Sequence, residues 1–91
     1  MVWTIEYSSK VVKAFKKDLD REVVRRIVAK LEEAAGLEDP TSTAKPMTGN
    51  LKGLWAYRID GGYRAIVDIQ PKRLVIFAVE AGPRRGIYGD H

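Results

Sequence analysis

Arginine, lysine and tyrosine are the side chains through which this sequence could do chemistry, because the usual catalytic motifs are absent. The chain has no cysteine, and its one histidine is the last residue, His91. A cysteine-ligated or multi-histidine metal site is therefore excluded. The sequence also lacks a glycine-rich phosphate loop, an HExxH motif and a serine–histidine–aspartate set. What remains is the binding of anions such as phosphate, and we expect neither a metal nor a small-molecule cofactor.

The first candidate anion site surrounds Asp60-Gly61-Gly62, which separates two strand-like runs and is a strong hairpin signal. If all three residues form the loop, Arg58 pairs with Arg64 on one face of the hairpin. Like charges placed opposite each other are destabilising by up to about 1 kcal/mol. A phosphate between the two guanidinium groups would remove that repulsion and would be held by both. A two-residue loop at Gly61-Gly62 would instead put the arginines on opposite faces, and the sequence leaves both registers open.

A second basic group follows the last strand-like run of the chain. Arg84 comes directly after Gly82-Pro83, where the end of a strand leads into a turn at the rim of a sheet. Tyr88 follows four residues later and can reach the same rim. Further candidates for phosphate contacts are Lys45, Lys52 and Arg85. For these three residues, a solvated surface position without a function is the alternative.

Hydrophobic periodicity predicts the elements that position these residues. Residues 2–7 alternate between apolar and polar side chains, which is typical of a half-buried strand. A first helix can be capped by Ser8 or Ser9, and a second helix by Asp18 or Asp20. The apolar stripe predicted for the second helix consists of Val24, Ile27, Val28, Leu31 and Ala35. The two helices are expected to form a hairpin on one face of a sheet.

The second half of the chain is predicted to form three antiparallel strands after a loop over residues 37–50. The strands are Leu54–Ile59, Tyr63–Ile69 and Leu74–Glu80. The apolar middle of the last run is typical of a central strand that is buried on both faces. The sequence therefore predicts an α+β fold of order β-α-α-β-β-β. It consists of an N-terminal strand, a helix hairpin and a three-stranded antiparallel meander, with the second face of the sheet partly open.

Length and charge set the wider limits. The chain is expected to form a single domain over residues 1–91. Its net charge of +4 falls wholly in residues 40–91, which carry eight Lys/Arg and four Asp/Glu, whereas residues 1–39 carry eight of each. A basic half favours a polyanionic partner, and solubility alone is the alternative. Because no apolar run is long enough for a membrane span and the first residues lack the layout of a signal peptide, we expect a cytoplasmic protein without membrane contact.

Three motifs resemble those of the RelE/ParE superfamily of bacterial toxins. They are Leu51-Lys52-Gly53-Leu54-Trp55-Ala56-Tyr57-Arg58, Gly62-Tyr63-Arg64 and Ala81-Gly82-Pro83-Arg84-Arg85-Gly86-Ile87-Tyr88. The motifs occur in the order and at the spacing typical of RelE-type members, and the predicted order of elements is similar to theirs. Each motif is weak alone. Together they cover nearly the whole chain and are specific for the superfamily, but less so for the activity within it.

The resemblance implies the toxin of a type II toxin–antitoxin system, acting as a ribosome-dependent mRNA endonuclease (an mRNA interferase) that inhibits translation. In such enzymes a 2′-hydroxyl attacks the adjacent phosphate, and basic side chains stabilise the charge that develops. By resemblance, Arg64 would hold the scissile phosphate with help from Arg58, and Arg84 would stabilise the leaving oxygen. Tyr88 would transfer a proton or stack on a base. The residues that would bind RNA are Lys45, Lys52, Arg85 and His91.

The chain departs from the family pattern where a general base is needed. Some members have a further lysine on the first hairpin strand, where this chain has Ala56 and Tyr57, and others have a histidine at the position of Pro83. Arginine stays protonated and cannot be a base. Tyr88 would need nearby cations to lower its pKa. His91 has a suitable intrinsic pKa, and an idle terminal residue is the alternative.

These departures leave two other functions open. The first is a ParE-like inhibitor of DNA gyrase, which binds its target and cuts no RNA. The second is a catalytically degenerate member that binds only its antitoxin. For all three functions the resemblance implies a cognate antitoxin protein that wraps the toxin with a helix and an extended segment. For the nuclease it also implies mRNA in the ribosomal A site as a partner.

Overall fold

The chain folds into a five-stranded sheet with two helices on one face, and the computed structural model describes residues 3–84. The strands are β1 (Thr4–Tyr7), β2 (Lys45–Pro46), β3 (Trp55–Ile59), β4 (Tyr63–Gln70) and β5 (Val75–Pro83). The helices are α1 (Ser9–Lys13), which continues as a π-helical turn over Ala14–Asp18, and α2 (Arg21–Ala35). The predicted α+β fold, with its helix hairpin and antiparallel meander, is confirmed.

The strand order is β1-β5-β4-β3-β2. β1 pairs with β5 in parallel, and the other neighbouring strands are antiparallel. The helix pair therefore carries the chain from one edge of the sheet, at β1, to the opposite edge, at β2. β5 is an interior strand as predicted, but the centre of the sheet is β4. Met1 and Val2 lie outside the described residues, and Val2 was included in the predicted first strand.

The N-cap of the first helix is Ser8, one of the two predicted caps. The Ser8 hydroxyl accepts a hydrogen bond from the Val11 amide at 3.1 Å and donates one to the Val79 carbonyl at 3.0 Å. One side chain thus satisfies a free amide of the first helical turn and ties the helix to β5. The second helix begins after Asp20, although the Asp20 side chain makes no capping hydrogen bond.

The core lies between α2 and the sheet. The helix contributes Val23, Ile27, Leu31, Ala34 and Ala35, and the strands contribute Tyr57, Ile59, Ala65, Val67, Ile76 and Ala78. The predicted stripe was right for Ile27, Leu31 and Ala35 but wrong for Val24 and Val28, which are only half-buried. The helix is rotated so that the i, i+4 row beginning at Val23 faces the sheet.

The segment predicted as a loop over residues 37–50 is more ordered than expected. It contains short 3₁₀ turns at Pro40–Thr43 and Gly49–Leu51, with β2 between them. The segment is tied to the core by Tyr57, whose buried hydroxyl donates a hydrogen bond of 2.6 Å to the Pro40 carbonyl. Burial, followed by the nearby charge of Asp39, raises the pKa of Tyr57 to about 12.

The second face of the sheet is covered in its middle and open near the β3–β4 hairpin. Ala56 and Ile66, which face away from the helices, are buried, whereas Arg58 is exposed. The second face is thus partly open at the hairpin end, which is the end that carries the arginines. In the described part of the chain, every helix is too short or too polar to cross a membrane.

Candidate active site

The β3–β4 hairpin has the register that places two arginines side by side. Arg58 pairs with Arg64, with Asp60–Gly62 as a three-residue loop between the strands. Gly61 and Gly62 have φ angles of 91° and 86°. Two consecutive residues in this left-handed region favour glycine strongly, which explains the Gly-Gly sequence. The first of the two registers left open by the sequence is confirmed.

Arg64 occupies the most enclosed position of the site. It is only 6% exposed, on the strand at the centre of the sheet. Its neighbour on β3 is Arg58, and its neighbour on β5 is Gly82, which has no side chain to fill the space on that flank. The sheet thus holds one buried guanidinium group beside one exposed guanidinium group.

Arg84 joins the pair from the end of β5. Its backbone amide donates a hydrogen bond of 3.0 Å to the carbonyl of Gly62, which fastens the end of β5 to the hairpin loop. The pKa of Arg64 is lowered, first by burial and then by the positive charges of Arg84 and Arg58. The three predicted arginines therefore lie within electrostatic reach of one another. Arginine nevertheless stays protonated, so the site holds concentrated positive charge.

The two predicted lysines differ in their relation to these arginines. Lys45 lies on β2 directly opposite Ala56, so it shares a face of the sheet with Arg58. The two residues are diagonal cross-strand neighbours, and the backbones of such positions are typically about 7–8 Å apart. Lys52 lies at the other end of β3, in the turn before the strand begins. Both lysines are exposed. The fold brings Lys45 to the arginine cluster (Arg58, Arg64 and Arg84) and leaves Lys52 away from it.

The remaining predicted residues are not placed by the structure. Arg85, Tyr88 and His91 lie outside the described residues. Within residues 3–84, two groups that could be considered as a general base, Glu80 and Tyr57, are engaged elsewhere. Glu80 forms an ion pair of 3.0 Å with Lys10, and Tyr57 has a raised pKa and donates to Pro40. The same residues contain no cluster of histidine, cysteine or carboxylate side chains that could hold a metal ion.

Further basic residues lie close to the cluster, on the first helix. A cavity of about 370 Å³ between α1 and the end of β5 is lined by two lysines, two acidic residues and small residues, among them Lys10, Lys13, Asp18, Glu80, Gly82 and Pro83. Counting charge by halves of the chain conceals these lysines, because residues 1–39 as a whole carry as many acidic as basic residues. A count by element would find them, since residues 9–18 carry four lysines and one aspartate.

The fold is that of the RelE-type toxins. No protein-family model and no curated protein matches the chain. Among solved structures, the RelBE toxin–antitoxin complex of Mycobacterium tuberculosis matches with a TM-score of 0.78 at 18% identity, covering 92% of this chain and 93% of that chain. The archaeal RelE–RelB complex of Pyrococcus horikoshii matches with a TM-score of 0.64 at 26% identity, covering 92% and 97%. YafQ of E. coli matches with a TM-score of 0.63 at 18% identity, covering 96% and 99%. The resemblance seen in the sequence motifs is therefore confirmed at the level of the fold.

Proposed function

We propose that this chain is the toxin of a type II toxin–antitoxin system and that it cleaves mRNA on the ribosome, acting in the cytoplasm as one domain over residues 1–91. The observation that carries the proposal is the arginine cluster on a RelE-type sheet. Arg58, Arg64 and Arg84 come from three different elements, yet they meet at one end of the sheet. Cations gathered in this way are suited to a phosphodiester whose negative charge increases during reaction.

The cleavage step uses the substrate's own nucleophile. The 2′-oxygen attacks the adjacent phosphorus, the bond from phosphorus to the 5′-oxygen of the next nucleotide breaks, and the products are a 2′,3′-cyclic phosphate and a free 5′-hydroxyl. The proton of the 2′-hydroxyl leaves to a base, and the departing 5′-oxygen gains a proton. We assign Arg64 to the non-bridging oxygens of the scissile phosphate, Arg58 to the same charge, and Arg84 to the leaving oxygen. Tyr88 or His91 would move the protons.

The ribosome would supply the substrate geometry that arginines alone do not impose. Arginines stabilise charge, but they do not set the line along which the 2′-oxygen approaches phosphorus. A flexible single strand rarely adopts that geometry by itself, and holding it there lowers the barrier. An mRNA codon held in the ribosomal A site would supply the geometry, and the arginine cluster would supply the charge stabilisation.

The cluster also favours an antitoxin with acidic side chains. Three guanidinium groups repel one another, and carboxylates placed among them would relieve that repulsion and block the RNA site. The solved structure from M. tuberculosis is a toxin–antitoxin complex, and the one from P. horikoshii is a RelE–RelB complex. We infer a cognate antitoxin for this chain as well.

The test is inducible expression in a bacterial host, with growth followed and mRNA ends mapped by primer extension. The proposal predicts growth arrest together with new cuts inside translated codons. Growth arrest with intact mRNA and stabilised DNA breaks would contradict it and would favour a gyrase inhibitor. Absence of arrest from a folded protein would also contradict it, and would favour a member that binds only its antitoxin.

A further inference from the structure

The edge of the sheet beside the arginine cluster is open where β2 ends. β2 has two residues, and its pairing closest to the hairpin loop is that of Lys45 with Ala56. On this side of β3, the Leu54 carbonyl accepts a hydrogen bond of 3.0 Å from the Met47 amide. Because backbone groups alternate along a strand, those of Arg58 point to the same side, beyond the end of β2. In the described part of the chain, no strand covers this edge next to the arginines.

A cavity of about 310 Å³ lies between this open edge and α2. We refer to it as the edge cavity. Its volume is at the lower end of the range for pockets that bind small organic ligands, roughly 300–1,000 Å³. β3 contributes one charged residue from each side of an apolar one, and α2 contributes residues from one side of the helix. The lining residues are Arg58, Ile59 and Asp60 from the strand and Arg26, Ala29, Lys30 and Glu33 from the helix.

The guanidinium group of Arg26 lies against the hairpin loop. A β-carbon placed on Gly61 would be only 3.2 Å from its Nη1 atom, so the absence of a side chain at Gly61 allows this close approach. Glu22, one turn earlier in α2, pairs with the Nε atom of the same group at 3.5 Å. The planar group is therefore held from two sides beside the edge cavity. A guanidinium plane is a surface on which a nucleobase can stack.

The edge cavity contains hydrogen-bond acceptors as well as cations. Glu33 pairs with Lys30 at 3.8 Å, and a carboxylate with one such partner can accept further hydrogen bonds. Asp60 has no ion-pair partner in the described part of the chain. Two carboxylates would repel a bare phosphate, but they can accept hydrogen bonds from the amino groups of nucleobases. Ala29 and Ile59 add apolar surface against which a flat ring can pack.

We propose that the edge cavity binds a base of the cleaved mRNA, next to the scissile phosphate, and selects bases that carry an exocyclic amino group. This inference rests on the proposed function. Arg58 lines the cavity and is also the cross-strand partner of Arg64, so a strand held at Arg64 has a neighbouring nucleotide beside the cavity. Adenine, cytosine and guanine carry an exocyclic amino group, whereas uracil does not. We assign Asp60 and Glu33 as its acceptors.

The test uses pairs of mRNAs that differ by one amino group. Each mRNA is placed on purified ribosomes, and its A-site codon carries adenine or purine, or guanine or hypoxanthine, beside the cut. The nucleotides on the two sides of the cut are varied in turn. The measured quantity is the ratio of the single-turnover cleavage rates for the two members of a pair. The fraction of active protein cancels in this ratio, because both rates come from the same preparation.

The cavity variant carries Glu33→Ala and Asp60→Ala. Its control carries Glu32→Ala and Glu38→Ala, which removes two exposed carboxylates from outside the edge cavity. The two variants have the same net charge, so a general increase in affinity for RNA affects both equally. Glu33→Ala alone is the third variant. It keeps the aspartate of the hairpin turn and decides the question if the double variant does not fold.

The wild type is expected to cut the mRNA with the amino group about 10- to 100-fold faster, at one side of the cut, which is the size expected for a hydrogen bond to a charged acceptor. The control should keep this ratio, the cavity variant should lose the preference, and Glu33→Ala should lie between them. A wild type that ignores the amino group on both sides of the cut would overturn the assignment. Variants that lose carboxylates of the cavity and keep the wild-type ratio would also overturn it. If the wild type cut none of the mRNAs on ribosomes, the proposed function itself would fail, which is a different result from cleavage that ignores the amino group.

Discussion

At the scale of single residues, the feature that most needs a physical reason is the burial of Arg64 beside two other arginines. Removing the charge of an arginine from water is costly. Burial, followed by the charges of Arg84 and Arg58, lowers the pKa of Arg64. The two neighbouring charges thus disfavour the positive charge of Arg64, and an anion bound beside the three arginines would offset their effect.

Inorganic phosphate should consequently stabilise the wild-type chain through Arg64. At a tenfold excess over its dissociation constant, a ligand that binds only the folded state adds about 1.4 kcal/mol to the free energy of unfolding. Arg64→Ala should abolish most of the rise in Tm that phosphate causes. The control is Arg73→Ala, which removes an exposed arginine that pairs with Glu6 at 3.4 Å. An equal response of both variants to phosphate in thermal unfolding would contradict the assigned site.

Tyr57 gives a second prediction at this scale, through its pKa of about 12. The unfolded chain loses the phenolic proton near pH 10, whereas the folded chain keeps it to about pH 12. The stabilisation from Tyr57 is thus fully present below pH 10 and is lost as the pH rises from 10 to 12. Tyr57→Phe should weaken this decline, and at pH 7 it should cost about 1–3 kcal/mol, because the Pro40 carbonyl loses its buried donor. Urea unfolding of both proteins at pH 7 and pH 11 measures both effects, and the same pH dependence in both would show that Tyr57 is not its source.

At the scale of elements, the hairpin was the most predictable part and the packing of α2 the least. The motif Asp60-Gly61-Gly62 marked the turn, but two left-handed glycines fit either loop length, so only the observed pairing of Arg58 with Arg64 decides between the two registers. The burial of Val23 in place of the predicted Val24 could not be predicted, because both valines fit a helical stripe and contact with the sheet decides which of them is buried.

The edge strand β2 escaped prediction for a different reason. It has only two residues, Lys45 and Pro46, and so it shows no periodicity. It forms because the edge of β3 at Trp55 and Ala56 offers backbone partners, which is information that the local sequence does not contain. The positions of some charged residues also depend on contacts that the local sequence does not contain. The arginine cluster was predicted from motifs and register, whereas the cavity that brings Lys10 and Lys13 beside Gly82 depends on how α1 packs against β5.

The hairpin loop gives a prediction for Gly62, whose φ is +86°. A β-carbon at this position would meet no atom within 4 Å, so Gly62→Ala tests the backbone conformation alone. We expect a loss of about 1–2 kcal/mol, the cost of a left-handed conformation for a residue with a side chain. Gly36→Ala is the matched control, because Gly36 has a φ of −85° at the end of α2 and its added carbon would make only ordinary contacts. Equal stability of the two variants in urea unfolding would show that the loop is not held in this conformation.

At the scale of the whole molecule, charge is divided between surfaces rather than between halves of the sequence. The arginine cluster occupies the open end of the second sheet face, and Lys10 and Lys13 of the first helix line a cavity at the adjoining end of β5. The ion pairs of α2 leave that helix nearly neutral by comparison. The open end of the second sheet face is therefore where the proposed phosphodiester substrate would bind.

The most direct test of the central claim is single-turnover cleavage of an mRNA codon on purified ribosomes by the wild type, Arg64→Ala and Arg73→Ala. Removing one preorganised charge-stabilising donor lowers a rate by about 100- to 1,000-fold. We expect a loss of this size for Arg64→Ala and a rate near that of the wild type for Arg73→Ala, with all three proteins folded. Cleavage by Arg64→Ala at the wild-type rate would contradict the account, because the arginine cluster would then not be the site where the phosphodiester reacts.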